Sequence, residues 1–486
     1  MRGTDLTLLT DLYELTMMQG YYQSHNEKIV VFDLFYRDNP YNGSYAIAAG
    51  LDQVIDYVKN LHFTPEDLSY LKSLGIFESD FLSYLADFRF SGAIYAIPEG
   101  TVIFPREPIV KIIAPIMEAQ LLETALLNII NHQSLIATKA ARVVYAAKGD
   151  GVMEFGLRRA QGPDAGIFGA RAAVIGGCVG TSNVLCGQMF DVPVLGTHAH
   201  SWIMSFSDEY TAFKTYASMY PNSCILLVDT YDTLKSGVPN AIRVFNEMRS
   251  AGVPLQNYGI RLDSGDLAYL SKEAYKMLCD AGFSNATISA SSDLDEFLIQ
   301  SLKEQGATIN SWGVGTNLIT SSGHPAFGGV YKLAAIRDTN DSEFIPKIKL
   351  SENTTKVTNP GDKIIYRIYT KKHGKIKADL ICLADEQFDE SQDLVIFDPS
   401  DTWKKTRIRG GSYTMRQLLE PVFLDGECVY TSPSVMEIRS RCQAELGTLW
   451  DESKRFANPH PVFVDLSEKL YSLKQSMLEG IHPATE

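Results

Sequence analysis

The chain is short of positive charge and of paired cysteines. Lys and Arg number 44 against 58 Asp and Glu, a formal net charge of −14. A surface of that sign argues against nucleic acid and membrane as partners, since both are bound through basic fields. A small anion in a locally positive pocket stays open. The seven cysteines, Cys178, Cys186, Cys224, Cys279, Cys382, Cys428 and Cys442, are odd in number and form no CxxC pair. That argues against a disulfide framework or a structural zinc site and leaves buried free thiols. Met1–Asp5 lacks the charged and apolar regions of a secretory signal, and the apolar runs are too interrupted for a membrane span. The expectation is a soluble, cytoplasmic protein. Internal repeats and low-complexity tracts are also missing.

What is present is an ordinary globular composition, 45% hydrophobic and 21% charged, over 486 residues. At roughly 150 residues per domain, two or three domains are expected. In the middle of the chain, short apolar runs alternate with helical spacing. Val152–Phe155, Val192–Leu195, Cys224–Val228, Tyr258–Leu262, Thr287–Ala290 and Trp312–Val314 read as buried strands. Leu234–Arg249, Leu267–Cys279 and Leu294–Lys303 read as helices, each stopped by a nearby glycine. Repeated βαβ units imply a parallel sheet. Polar groups follow nearly every strand, which suits an α/β barrel with its site at one face better than an open sheet with a single switch point.

The flanks read differently. Residues 28–51 and 91–114 are β-rich, Met117–Ala147 is a long helix, and Lys347–Lys377 is polar with strand-like runs such as Ile364–Tyr369. Ser434–Leu446 and Leu466–Leu478 read as helices. The expected division is 1–115, a catalytic barrel at 116–335, and 336–486, with the two flanks forming a β-containing domain.

Several strand ends carry chemistry. Arg158-Arg159 offers planar forks for a carboxylate or phosphate, although an isolated Arg-Arg is more often a solvated pair. Arg261-Leu262-Asp263-Ser264-Gly265-Asp266 sets one cation beside two carboxylates, groups suited to an anion, ribose hydroxyls or magnesium; Ser264 or Asp266 also suits a helix cap. Gly313-Val314-Gly315-Thr316 reads as a phosphate cradle, weak by itself, and not a Walker loop. His198 and His200 are two apart, but no second His or Cys cluster accompanies them, so no fixed metal site is expected. A loop histidine with Thr197 and Ser201 beside it suits an acid, base or nucleophile.

The order of these segments resembles the nicotinate phosphoribosyltransferases. The likeness runs through Thr4-Asp5-Leu6, Thr10–Met17, Phe32–Arg37, Tyr45–Leu51, Glu123-Thr124, Leu127-Asn128 and Ile136–Lys139. It continues through Glu154–Ala165, Gly196–Phe206, Val228–Leu234, Gly259–Asp266, Asp293–Glu296, Gly313–Thr316, Gly328–Leu333, Lys347–Glu352 and Thr358–Gly361. The likeness is weaker around Asn458-Pro459-His460. One departure is Ser292, where the family pattern leads one to expect Asn.

The resemblance implies a type II phosphoribosyltransferase fold, an irregular α/β barrel plus a second domain. It implies transfer from phosphoribosyl pyrophosphate to nicotinate for NAD salvage, with ATP as co-substrate through a phosphohistidine. Magnesium would accompany pyrophosphate and ATP, and a homodimer would place its sites near the interface. By motif, Tyr13, Arg158, Thr197 and Arg261 would face nicotinate, with Tyr13 at a position suited to act across the dimer. Asp263 would meet ribose or the metal–pyrophosphate. Asp293, Gly313, Gly315 and Thr316 would hold the phosphoribosyl group, and His200 would carry the phosphate. Rival readings are a nicotinamide phosphoribosyltransferase of the same fold and a phosphate-binding barrel isomerase or aldolase. The last would need a strand-end lysine or glutamate base, and no convincing one is seen.

Overall fold

The computed structural model describes residues 5–339, 341, 343–351, 357–399, 401 and 403–481. Thr4 and Glu352, each in one of the motifs above, lie outside the described residues. The chain divides into two compact units. One comprises Ile136–Pro325 and Ser434–Arg439; the other comprises Met1–Leu135, Ala326–Pro433 and Ser440–Glu486.

The first unit is built on a curled sheet of six parallel strands, a half-barrel. Their order is Gly180–Thr181, Gly151–Glu154, Ser311–Val314, Thr287–Ala290, Tyr258–Leu262 and Cys224–Leu227. Each neighbouring pair is parallel. Strands buried on both faces cannot alternate with polar residues, and these read as near-continuous apolar runs. Ile260, Leu262, Ala290, Trp312 and Val314 are fully buried. Helices follow the strands, among them Val238–Ser250, Leu267–Asp280 and Glu296–Glu304. Asp266 and Asp295 cap two of them through their side chains, so Asp266 fills the structural role that its position allowed.

Local chemistry explains where the expected elements shift. Val192–Leu195 forms no ladder of its own and contributes one parallel bridge, Val194 to Thr181. Its partner strand is only two residues long, and Pro193 has no N–H to donate. Beyond this bridge a side chain takes over: the Leu227 N–H donates to His198 Nε2 at 3.3 Å. The helix expected from Leu234 starts at Val238, after a wide turn over Thr233–Gly237. The long helix expected over Met117–Ala147 is two, Ile116–Leu121 and Glu123–Ala146. The unit's limits fall inside the expected 116–335. Ser434–Arg439 joins it from the C-terminal flank, where Arg439 donates to the Gly177 carbonyl at 3.2 and 3.0 Å.

In the other unit both flanks share one sheet. Ile29–Tyr36 pairs antiparallel with Gly329–Arg337 and with Val110–Pro115 in a seven-stranded array. Lys363 reaches Asp33 at 2.8 Å, a buried ion pair between the two ends of the chain. A second, six-stranded sheet includes Lys363–Thr370 and Ile376–Leu383. Fully buried Arg367 there meets Asp379 at 2.6 Å and Glu445 at 2.9 Å. Among the described residues, no helix is long and apolar enough to cross a membrane.

The half-barrel has its own buried charge cluster. Glu296 meets Lys139 at 2.6 Å and Arg142 at 2.9 Å, all nearly inaccessible. Burial alone would raise the Glu296 carboxyl, but the two cations hold it below its ordinary value. A depressed carboxyl stabilises the fold above the unfolded-state value of about 4.3 and loses that contribution as pH falls through and below it. Removing the shared anion is predicted to cost about 3 kcal/mol, because two buried cations lose their counter-charge. Urea unfolding of Glu296→Ala should show that loss at pH 7 and a flatter stability curve below pH 5. An unchanged midpoint would contradict it.

Candidate active site

Parallel strands deliver all their C-terminal ends to one rim. A cavity of about 460 Å³ opens there, lined by groups from the ends of successive strands. Phe155, Arg158 and Arg159 follow Gly151–Glu154, and Ser182 follows Gly180–Thr181. Thr197, His198 and His200 come from the turn after the Val194 bridge. Arg261 and Asp263, then Ser291 to Asp293, then Gly313 to Thr316, complete the ring.

Arg261 ties these segments together. Its Nε donates to Ser291 Oγ at 2.9 Å and its Nη1 to Thr197 Oγ1 at 2.9 Å. Nη1 also reaches the His198 carbonyl at 3.4 Å, and Nη2 donates to Asp263 Oδ1 at 3.1 Å. A guanidinium has five N–H groups, so one Nη2 N–H lies outside these four bonds. Burial would raise the Asp263 carboxyl, but the Ser291 hydroxyl, Arg261 and His200 hold it below its ordinary value. Asp263 therefore stays an anion at neutral pH.

His200 stands beside this network. Its Nδ1 lies 3.1 Å from Thr230 Oγ1. Its Nε2 lies 3.7 Å from Asp263 and 4.0 Å from Asp229, with the side chain 40% exposed. Asp229 is nearly inaccessible; its Oδ2 accepts from the Asp263 N–H at 2.8 Å and from Ser264 Oγ at 2.7 Å. His198 differs in kind. Burial holds its pKa down at about 4, so its ring stays neutral and accepts the Leu227 N–H.

The far side of the cavity is built by the glycine turn. A Cβ on Gly313 would lie 2.7 Å from a ring carbon of Phe155, so glycine lets that ring pack flat against the strand end. Ser292 and Asp293 have φ of 102° and 38°, the left-handed region that non-glycine residues enter at a cost. Asn tolerates this backbone better than Ser, so the Ser292 departure falls on a strained position. Asn317 steadies it by donating to the Asp293 carbonyl at 2.8 Å.

Nine of the ten residues given a role by the family resemblance line this one cavity: Arg158, Thr197, His200, Arg261, Asp263, Asp293, Gly313, Gly315 and Thr316. Tyr13 belongs to the other unit, exposed on the Leu12–Gln23 helix. Phe155 and Ser182 were not expected at the site, and Ser291 was seen only as one of the polar groups after its strand. Ser291 carried the same strand-end signal as its neighbours, whereas Phe155 read as core.

Three family models match in sequence. Residues 8–131 match the nicotinate phosphoribosyltransferase N-terminal domain, 151–358 the nicotinate phosphoribosyltransferase family, and 362–474 the C-terminal domain. A nicotinate phosphoribosyltransferase of Bacillus subtilis is 46% identical over all of this chain and 98% of its own length. The Homo sapiens nicotinate phosphoribosyltransferase is 31% identical over 99% of this chain and 98% of its own. The crystal structure of human nicotinic acid phosphoribosyltransferase superimposes with a TM-score of 0.83 at 29% identity, over 97% of this chain and 100% of that one. A nicotinate-nucleotide pyrophosphorylase from Pyrococcus furiosus shares the fold, with a TM-score of 0.69 at 23% identity, over 91% of this chain and 96% of that one. The chain belongs to the nicotinate phosphoribosyltransferase family.

Proposed function

We propose that the protein transfers the phosphoribosyl group of phosphoribosyl pyrophosphate to nicotinate, giving nicotinate mononucleotide and pyrophosphate for NAD salvage. The observation that carries this reading is the meeting, in one cavity, of arginines, a flat aromatic wall and a glycine–threonine turn. Nicotinate is a flat anion. Phe155 suits its ring, and Arg158 with Arg261 suits its carboxylate. Thr197, already bonded to Arg261, fixes that guanidinium. The backbone and hydroxyl of Gly313–Thr316 suit the 5′-phosphate. The Asp293 side chain offers carboxyl oxygens, which suit ribose hydroxyls rather than the phosphate.

In the reaction the pyridine nitrogen attacks C1 of the ribose. The C–N bond forms as the C–O bond to pyrophosphate breaks. The transition state is oxocarbenium-like, and the ionised Asp263 carboxylate stabilises positive charge on the ribose. The enzyme's main contribution is to hold the partners in line. Magnesium, when bound, neutralises the diphosphate as it leaves. The carboxyl oxygens of Asp263 and Asp293, which line the cavity, suit that hard cation. The ion is read as arriving with its phosphates.

His200 is the proposed phosphate carrier. Its Nε2, the ring nitrogen toward Asp263, would attack the γ-phosphorus of ATP; the N–P bond forms, the bridging P–O bond breaks and ADP leaves. The new charge lies near two carboxylates, which favours later hydrolysis and reorders the loop. Water then returns phosphate and free His200. We read the active form as a cytoplasmic homodimer, in which Tyr13 of a second copy serves as a further wall of the nicotinate site.

Incubation with γ-labelled ATP should give acid-labile protein label in the wild type and none in His200→Ala. Equal label in both would rule out this residue as carrier. Arg261→Gln should raise the nicotinate KM by about tenfold or more, since it loses a charge-assisted hydrogen bond to the carboxylate together with the bonds that hold Thr197, Asp263 and Ser291. Steady-state kinetics with an unchanged nicotinate KM would remove Arg261 from the site.

A further inference from the structure

We propose that Glu154 is a positioning residue that sets the spacing of the Phe155 turn and the Ser182 turn on the ring-binding side of the cavity. The inference rests on the reading that nicotinate lies against these turns. Glu154 ends the Gly151–Glu154 strand with its side chain fully inaccessible. One carboxylate oxygen accepts the Gly156 N–H, and the other accepts the Thr181 hydroxyl at 2.5 Å. Each donor adjoins a cavity-lining residue: Gly156 follows Phe155, and Thr181 precedes Ser182.

The surroundings close the clamp from both sides. A Cβ on Gly156 would lie 2.5 Å from Ile319 and 2.8 Å from the Glu154 carboxylate, so the turn passes where only glycine fits. The Ser182 N–H donates to the Glu154 carbonyl at 2.9 Å. Thr181 Oγ1 accepts from the Asn183 N–H at 3.0 Å, and Asn183 caps the following helix at Cys186 N, 3.1 Å away. One carboxylate thus connects two strand ends to a helix start. Both of its bonds come from neutral donors, and burial pushes its pKa up against them. A buried carboxylate held this way is a poor stabiliser compared with an apolar residue of similar size. Its geometry, not its stability, accounts for its place.

Thr181→Val keeps the shape and removes both the hydroxyl that donates to Glu154 and the acceptor of the Asn183 N–H. It should raise the nicotinate KM about tenfold, as expected for one hydrogen bond to a charged group, with the phosphoribosyl pyrophosphate KM within about twofold. Thr181→Ser should restore the wild-type value. Glu154→Gln added to Thr181→Val should raise it little further, because both act on one contact. An unchanged nicotinate KM, a parallel rise in both KM values, or failure of Ser to rescue would overturn the proposal. If Thr181→Val does not fold, Glu154→Asp, one methylene shorter, gives the same reading: a selective rise supports the clamp and an unchanged KM overturns it. A wild type that turns over no nicotinate would sink the functional reading itself, a result distinct from any difference among variants.

Discussion

A guanidinium that is only part exposed must find oxygen atoms to satisfy its donors. Arg261 finds them on three separate segments: Thr197 and the His198 carbonyl, Asp263, and Ser291. Those oxygens share one place only because the strands run parallel and end at one rim. The same bonds place a carboxylate, Asp263, next to a fixed positive charge and near His200. The cavity therefore sets a fixed positive charge beside a fixed negative one. A chain of net charge −14 carries this pocket without being basic overall.

Much of the half-barrel was legible because its strands are short apolar runs between polar ends. Tyr258–Leu262 and Thr287–Ala290 match the expected bounds. Gly180–Thr181 gave no such signal, being two residues without an apolar side chain, and Val192–Leu195 looked stronger than the single bridge it makes. The limits of the unit depend on tertiary bonds such as Arg439 to Gly177, 262 residues apart, which no local pattern encodes. Of the site, residues whose chemistry is visible from type and position gathered as expected. Glu154 was not singled out, since its carboxylate points into the protein and only Gly156 and Thr181 reveal its use.

Buried ion pairs recur in both units. Lys363 with Asp33, Arg367 with Asp379 and Glu445, and Glu296 with Lys139 and Arg142 each join segments distant in sequence. Such pairs add little net stability over apolar packing, but a mispaired alternative leaves an uncompensated charge. Glu154 stands apart from these ion pairs, since the bonds that hold it come from neutral donors at the edge of the cavity.

We assign phosphoribosyl transfer to nicotinate to the Arg261 cavity. Pyrophosphate release measured with nicotinate or nicotinamide, each with and without ATP, tests it most directly. Release with nicotinate, stimulated by ATP, and little with nicotinamide is expected. Equal or greater release with nicotinamide, or none with nicotinate, would contradict it.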